Sequence, residues 1–103
     1  MYQLITYIPE DALESVKNAL FAAGAGTIGN YAHCAWQVRG EGQFLPLSGS
    51  HPHIGENGEL CRLPEWRVEM VLTEACKEAV IAALHASHPY ETPAFSLIKL
   101  DNP

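Results

Sequence analysis

Apolar residues along this chain switch between a two-residue and a helical period, and the switches mark out strand, helix and strand twice over. Tyr2 to Ile8 is β-branched and aromatic and stops at Pro9, which predicts a strand. Leu13, Val16, Leu20 and Ala23 then fall at helical spacing, with Glu10, Asp11 and Glu14 at the positive end of the helix dipole; a helix is expected over about Glu10 to Ala23. Cys34, Trp36 and Val38 alternate with Ala35, Gln37 and Arg39, a second strand over about Ala32 to Arg39 with the first three facing the core. Gly40-Glu41-Gly42 turns the chain into a short segment, Gln43 to Leu47. A Gly/Pro-marked loop with Asn57-Gly58 follows, over about residues 48–64. The pattern closes with a strand over about Glu65 to Leu72, a helix over about Thr73 to Ser87 and a strand over about Ala94 to Leu100.

An internal repeat supports this order. At an offset of 64, Tyr7-Ile8-Pro9-Glu10 matches Val71-Leu72-Thr73-Glu74, Val16 matches Val80, and Ala19-Leu20 matches Ala83-Leu84. Two strand–helix–strand units joined in one sheet make an α+β, ferredoxin-like βαββαβ sandwich: a four-stranded antiparallel sheet with both helices on one face. The other face then has no cover from its own chain. Trp66, Val68 and Met70 alternate on one side of the third strand and Val71 lies on the other, so both faces carry apolar groups. That pattern predicts oligomerisation, with Trp66→Glu expected to yield monomer or aggregate if its side faces a neighbour.

A chain of 103 residues is read as one domain, 48% apolar and able to build a core without staples. Its net charge of -6, with no cluster of Lys or Arg, argues against nucleic acid and anionic membranes as partners. No apolar run is long enough to span a bilayer and no leader pattern opens the chain, so a cytoplasmic protein is expected. Cys34, Cys61 and Cys76 are odd in number and form no C-x-x-C pair, which points to free thiols. Cys76 is expected to be buried on its helix, and Cys61, in the loop, to be the reachable one.

Candidate chemistry is sparse. Gly24-Ala25-Gly26-Thr27-Ile28-Gly29 spells the dinucleotide pattern, but it follows a helix instead of opening one, and reads as a left-handed helix cap. His51 and His53 have the spacing to share one side of an extended segment, half of a zinc or copper site, with Cys61 and the helical pair His85 and His88 as further candidate ligands. His88-Pro89-Tyr90-Glu91-Thr92-Pro93 is stiffened by its two prolines and holds an imidazole, a phenol and a carboxylate. His88, at the negative end of its helix, is expected to favour its protonated form and to pair with Glu91. We take His88, Tyr90 and Glu91 as candidate ligand or subunit contacts. Glu65, Arg67 and Glu69 alternate on one strand face and join them as an ion-pair ladder, within the sheet or across subunits. No nucleophile elbow or paired carboxylates appear, which leaves a small metal-assisted hydrolase as the weakest reading.

The chain resembles the PII/CutA-like domain inserted in the YqfO branch of the Nif-three-like dimetal proteins. The resemblance rests on Gly29-Asn30-Tyr31-Ala32-His33-Cys34, Gly40-Glu41-Gly42-Gln43-Phe44-Leu45-Pro46, Gly49, Pro52, Ile54-Gly55, Glu65-Trp66-Arg67-Val68-Glu69 and the 88–93 turn. The turn alone also resembles that of CutA divalent-cation tolerance proteins. The resemblance implies a homotrimer with sheets around a threefold axis, without the dimetal activity, whose ligands lie in flanking domains. Met1 to Pro103 is read as the inserted module alone. The function expected is a non-catalytic sensor or interaction module that binds a small ligand, an ion or a partner protein at subunit clefts. A dimetal protein lacking this insert is a candidate partner, and a CutA-like metal-binding protein is the alternative.

Overall fold

A computed structural model describes residues 1–101. Four strands, β1 (Tyr2–Pro9), β2 (Trp36–Phe44), β3 (Cys61–Leu72) and β4 (Phe95–Lys99), form one antiparallel sheet in the order β2-β3-β1-β4. Helix α1 (Leu13–Ala22) follows β1 and helix α2 (Lys77–Ser87) follows β3, each entered through one 3-10 turn. This is the expected ferredoxin-like order, with both helices on one face.

The registers say which residues meet there. Leu4 lies opposite Met70 and Thr6 opposite Val68, and these face the helices. Leu4, Ile8, Val68, Met70 and Leu72 from the sheet close a dry core with Val16, Leu20, Val80 and Leu84 from the helices. Each such side chain contributes roughly 1.5–3 kcal/mol by leaving water. Thr6 is the one buried hydroxyl in that layer, and it donates to the Ala94 carbonyl at 2.9 Å, tying the start of β4 to β1.

α1 ends as its glycines require. The Gly24 N–H donates to the Phe21 carbonyl at 3.0 Å and the Ala25 N–H to the Leu20 carbonyl at 3.1 Å, with Gly24 at φ +112°. This Schellman closure needs a residue without Cβ strain and leaves those amides no anion to bind.

Three expectations are corrected. β2 begins at Trp36 and continues through Gly40 and Gly42, because the Gly-Glu-Gly stretch pairs with β3 instead of turning. β3 begins at Cys61 and contains Pro64; β1 ends at Pro9 opposite Glu65, so beyond that point one edge of β3 is free and a missing N–H is tolerated. The sidedness of β2 is also reversed. Trp36 and Val38 lie opposite Glu69 and Arg67 on the face away from the helices, and Cys34 precedes the strand. Trp66, by contrast, packs partly buried against the helix-side core.

The uncovered face therefore carries Trp36 at 57% exposure, Val38 at 44%, Ile98 at 45% and Tyr7 at 37%, around the buried Ile5. Past the end of β1, β2 and β3 run on as a two-stranded arm, and the 45–60 loop joins their ends.

Candidate functional site

The arm, its loop and the 88–93 turn enclose a cleft of about 290 Å³. Tyr7 and Phe44 come to it from the sheet, Glu65 from the arm, His53 and Ile54 from the loop. Tyr90 and Glu91 close it from the turn. The loop holds its own shape: the Gly58 N–H donates to the Pro46 carbonyl at 2.7 Å, and Ser50 Oγ donates to the Leu47 carbonyl at 2.7 Å. Its ends are thus close together, as in a compact Ω-loop. Two contacts dock it. The His51 backbone N–H donates to Glu91 Oε1 at 3.0 Å, and Gly55 lies over Cys61 and Phe44, where a Cβ would stand 3.4 Å from Cys61 Cβ.

His88 anchors the turn. Its backbone N–H closes α2 on the Leu84 carbonyl at 2.9 Å, and its ring, 5% exposed, lies beneath Tyr90 at 4.8 Å between centroids. Nδ1 accepts the Tyr90 backbone N–H at 3.1 Å and Nε2 donates to the Tyr7 carbonyl at 2.8 Å. Only the neutral Nε2–H tautomer satisfies both. Burial pushes this imidazole below the ordinary histidine range, outweighing the Tyr7 carbonyl and the Glu65 charge, which pull it up. The expectation of a protonated His88 paired with Glu91 is overturned: desolvation beats the helix dipole once the ring is inside.

A pH dependence follows. Unfolded, the ring takes a proton near pH 6.5, whereas folded it stays neutral to lower pH. The unfolded chain therefore binds more protons below 6.5, and stability, fully present above that pH, falls as pH drops toward the folded pKa. We expect the unfolding free energy measured by urea titration to fall between about pH 7 and 5.5, by at most about 1.4 kcal/mol per pH unit for this one proton. His88→Gln should flatten that part of the profile, and an unchanged slope in the variant would contradict the assignment.

Tyr90 and Glu65 form the second fixed pair. The phenol donates to Glu65 Oε2 at 2.6 Å, and its ring stands 5.9 Å from Phe44. Burial first, and then the Glu65 carboxylate, hold the phenol protonated far above its usual range. The Glu65 carboxylate lies across Gly42, where a Cβ would overlap it.

The candidate ladder divides. Arg67 Nε donates to Glu69 Oε2 at 3.0 Å and Gln3 Nε2 to Glu69 Oε1 at 2.9 Å, while Glu65 turns to Tyr90. The candidate metal ligands scatter. His51 is exposed, His53 lines the cleft, and His85 is exposed with its ring edge-on to Phe95 at 5.6 Å. Both ring nitrogens of His88 are used, and His88 sits past the end of α2 with extended backbone, so it shares no helix face with His85. Among the described residues no three His, Cys, Asp or Glu side chains are grouped to hold a metal ion. Cys61 opens β3, half-buried under Gly55, not free in a loop; Cys76 is half-buried beside Gly24. Cys34 is half-buried too, and the three thiols are unpaired, as expected. Residues that sequence reasoning passed over are Tyr7, Phe44 and Gly42. The last two stand in the motif that begins at Gly40, but its glycines read as a turn and hid the strand that carries them to the cleft.

No family model matches the chain. A protein of Mycobacterium leprae named GTP cyclohydrolase 1 type 2 homolog is 46% identical over 99 residues, which is 96% of this chain and 26% of the relative. The crystal structure of a Bacillus cereus protein related to NIF3 superposes with a TM-score of 0.83 at 37% identity, over 98% of this chain and 26% of that one. CutA1 from Pyrococcus horikoshii superposes with a TM-score of 0.70 over 100% of this chain and 86% of its own; at 18% identity that likeness concerns the fold alone. The chain spans about a quarter of the length of the curated relatives it matches. No helix among the described residues is long and apolar enough to cross a membrane.

Proposed function

Because the chain belongs to the Nif-three-like family as a copy of its YqfO-type PII/CutA-like domain, we propose that it is a non-catalytic binding module acting as a homotrimer. The cleft under the 45–60 loop carries this reading. It is of ligand size, roofed by a shaped loop, and hydrogen bonds from Tyr90 to Glu65 and from the loop to Glu91 fix its walls. His88, behind the lining, has both ring nitrogens engaged, and burial drives Tyr90 away from the lowered pKa a nucleophile needs; His53 lines the cleft, but among the described residues no hydrogen bond joins its ring to a nucleophile. The activity in the name of the relatives belongs to proteins of which this chain spans 26%, and we place that chemistry outside this domain. A dimetal protein lacking such a domain is the docking partner this reading favours.

The uncovered sheet face supports assembly. Trp36, Val38 and Ile98 are large, apolar and about half exposed on one side of the sheet, a patch that a second copy would cover. Native mass spectrometry of untagged protein is expected to give a trimer, and Trp36→Glu a folded monomer. A wild-type monomer would end the trimer reading. Zinc or copper bound in integral amounts, and lost in His51→Ala with His53→Ala, would move the function to the metal-binding alternative.

A further inference from the structure

We propose that the cleft takes a small organic cation, a protonated amine or amidinium on an apolar skeleton. This rests on the reading of the cleft as a ligand site and adds the chemistry of the ligand. Its volume of about 290 Å³ has room for roughly ten waters, or for a molecule of about that many heavy atoms. Three aromatic rings, Tyr7, Phe44 and Tyr90, line it together with Ile54 and two prolines, so a good part of the ligand must be apolar.

The charges point one way. Glu65 and Glu91 both line the cleft, and no Lys or Arg does. Glu65 receives a hydrogen bond from Tyr90, which orients its carboxylate but brings no compensating charge. Glu91 spends Oε1 on the His51 N–H, again a neutral donor. The cation nearest in sequence on the same face of β3, Arg67, is turned to Glu69 at 3.0 Å. Glu65 is half-buried and Glu91 exposed, so the pair leaves negative charge at the cleft that a ligand cation would complement. The faces of Tyr7, Phe44 and Tyr90 favour the same guest through their quadrupoles. A net charge of -6 draws cations toward the protein. The same features disfavour nucleotides and other polyanions, because His53 is the one basic side chain in the described lining, set against two carboxylates, and no helix N-terminus reaches it.

The test is calorimetric titration of the full chain with benzamidinium, its neutral isostere benzamide, benzoate and ATP. Benzamidinium is expected to bind at least about tenfold more tightly than benzamide, with affinity falling as salt is added. Glu65→Gln should weaken it about tenfold. Glu91→Gln, whose carboxylate holds only one backbone N–H, gives a second reading should Glu65→Gln fail to fold. Equal binding of benzamide, or binding of benzoate or ATP in place of benzamidinium, overturns the cation assignment and leaves a ligand site standing. If no probe binds, both the cation and the ligand-site reading fail.

Discussion

Trp66→Glu is expected to unfold the chain instead of releasing it as a folded monomer. The indole lies on the helix side of β3, opposite Ile8 and Arg39, and packs partly buried against the core. Truncating a fully buried tryptophan costs about 3–5 kcal/mol through lost burial and the cavity left behind, and the partly buried Trp66 stands at the lower end of that range. A glutamate there adds a carboxylate beside Glu10, which the indole already neighbours, so the total should reach at least about 4 kcal/mol. Set against a total stability of about 5–15 kcal/mol, that is enough to depopulate the fold. Trp36→Glu is the contrast. Its ring is 57% exposed on the uncovered face, so the substitution should spare the fold and act only on assembly. Urea titrations of the two variants, followed by circular dichroism, separate the cases. A Trp66→Glu protein within about 1 kcal/mol of wild type would show that its side of β3 is less committed to the core than the packing indicates.

Residue periodicity made the repeat, the two helices and the order of four strands legible, because the core is built from the repeated apolar positions themselves. Val16, Leu20, Val80 and Leu84 are all fully buried, as their spacing demanded. Boundaries were lost wherever glycine or proline serves a purpose other than turning. Gly42 lies within β2 because Glu65 needs the room, and Pro64 lies within β3 because one edge there is free. The sidedness of β2 was lost for a related reason. Apolar alternation marks one face but does not say which, and an uncovered face this apolar reads like a core. The site was legible as a set of residues in the 88–93 turn and on β3. Its protonation was not, since that depends on burying His88 under Tyr90 and against the Tyr7 carbonyl, 81 residues away in the chain. Tyr7 sits in a strand that reads as ordinary sheet and Phe44 in a short segment past an expected turn, and only the fold brings them to the cleft.

Gly42→Ala and Tyr90→Phe should each damage the cleft through the same carboxylate, and their costs should not add. Tyr90→Phe removes the donor at 2.6 Å from Glu65 Oε2 and leaves a half-buried carboxylate unsatisfied, a loss of about 2 kcal/mol. Gly42→Ala sets a methyl group where that carboxylate lies. Glu65 can escape only by rotating, which breaks the same bond, although the strand itself gains up to about 1 kcal/mol from replacing glycine. The net cost of Gly42→Ala alone is then about 1 kcal/mol. Once Tyr90 has lost its hydroxyl, the Glu65 side chain has nothing further to lose by moving, so the double variant should cost no more than Tyr90→Phe alone, and up to about 1 kcal/mol less from replacing the glycine. A coupling of about 1–2 kcal/mol between two positions 48 apart in sequence, measured by a double-mutant cycle in urea, is the expected result. Additive costs would mean that the phenol and the glycine serve Glu65 separately. The coupling matters for function as well as stability, because Glu65 meets the cleft in the right place only while Gly42 gives it room and Tyr90 holds it there.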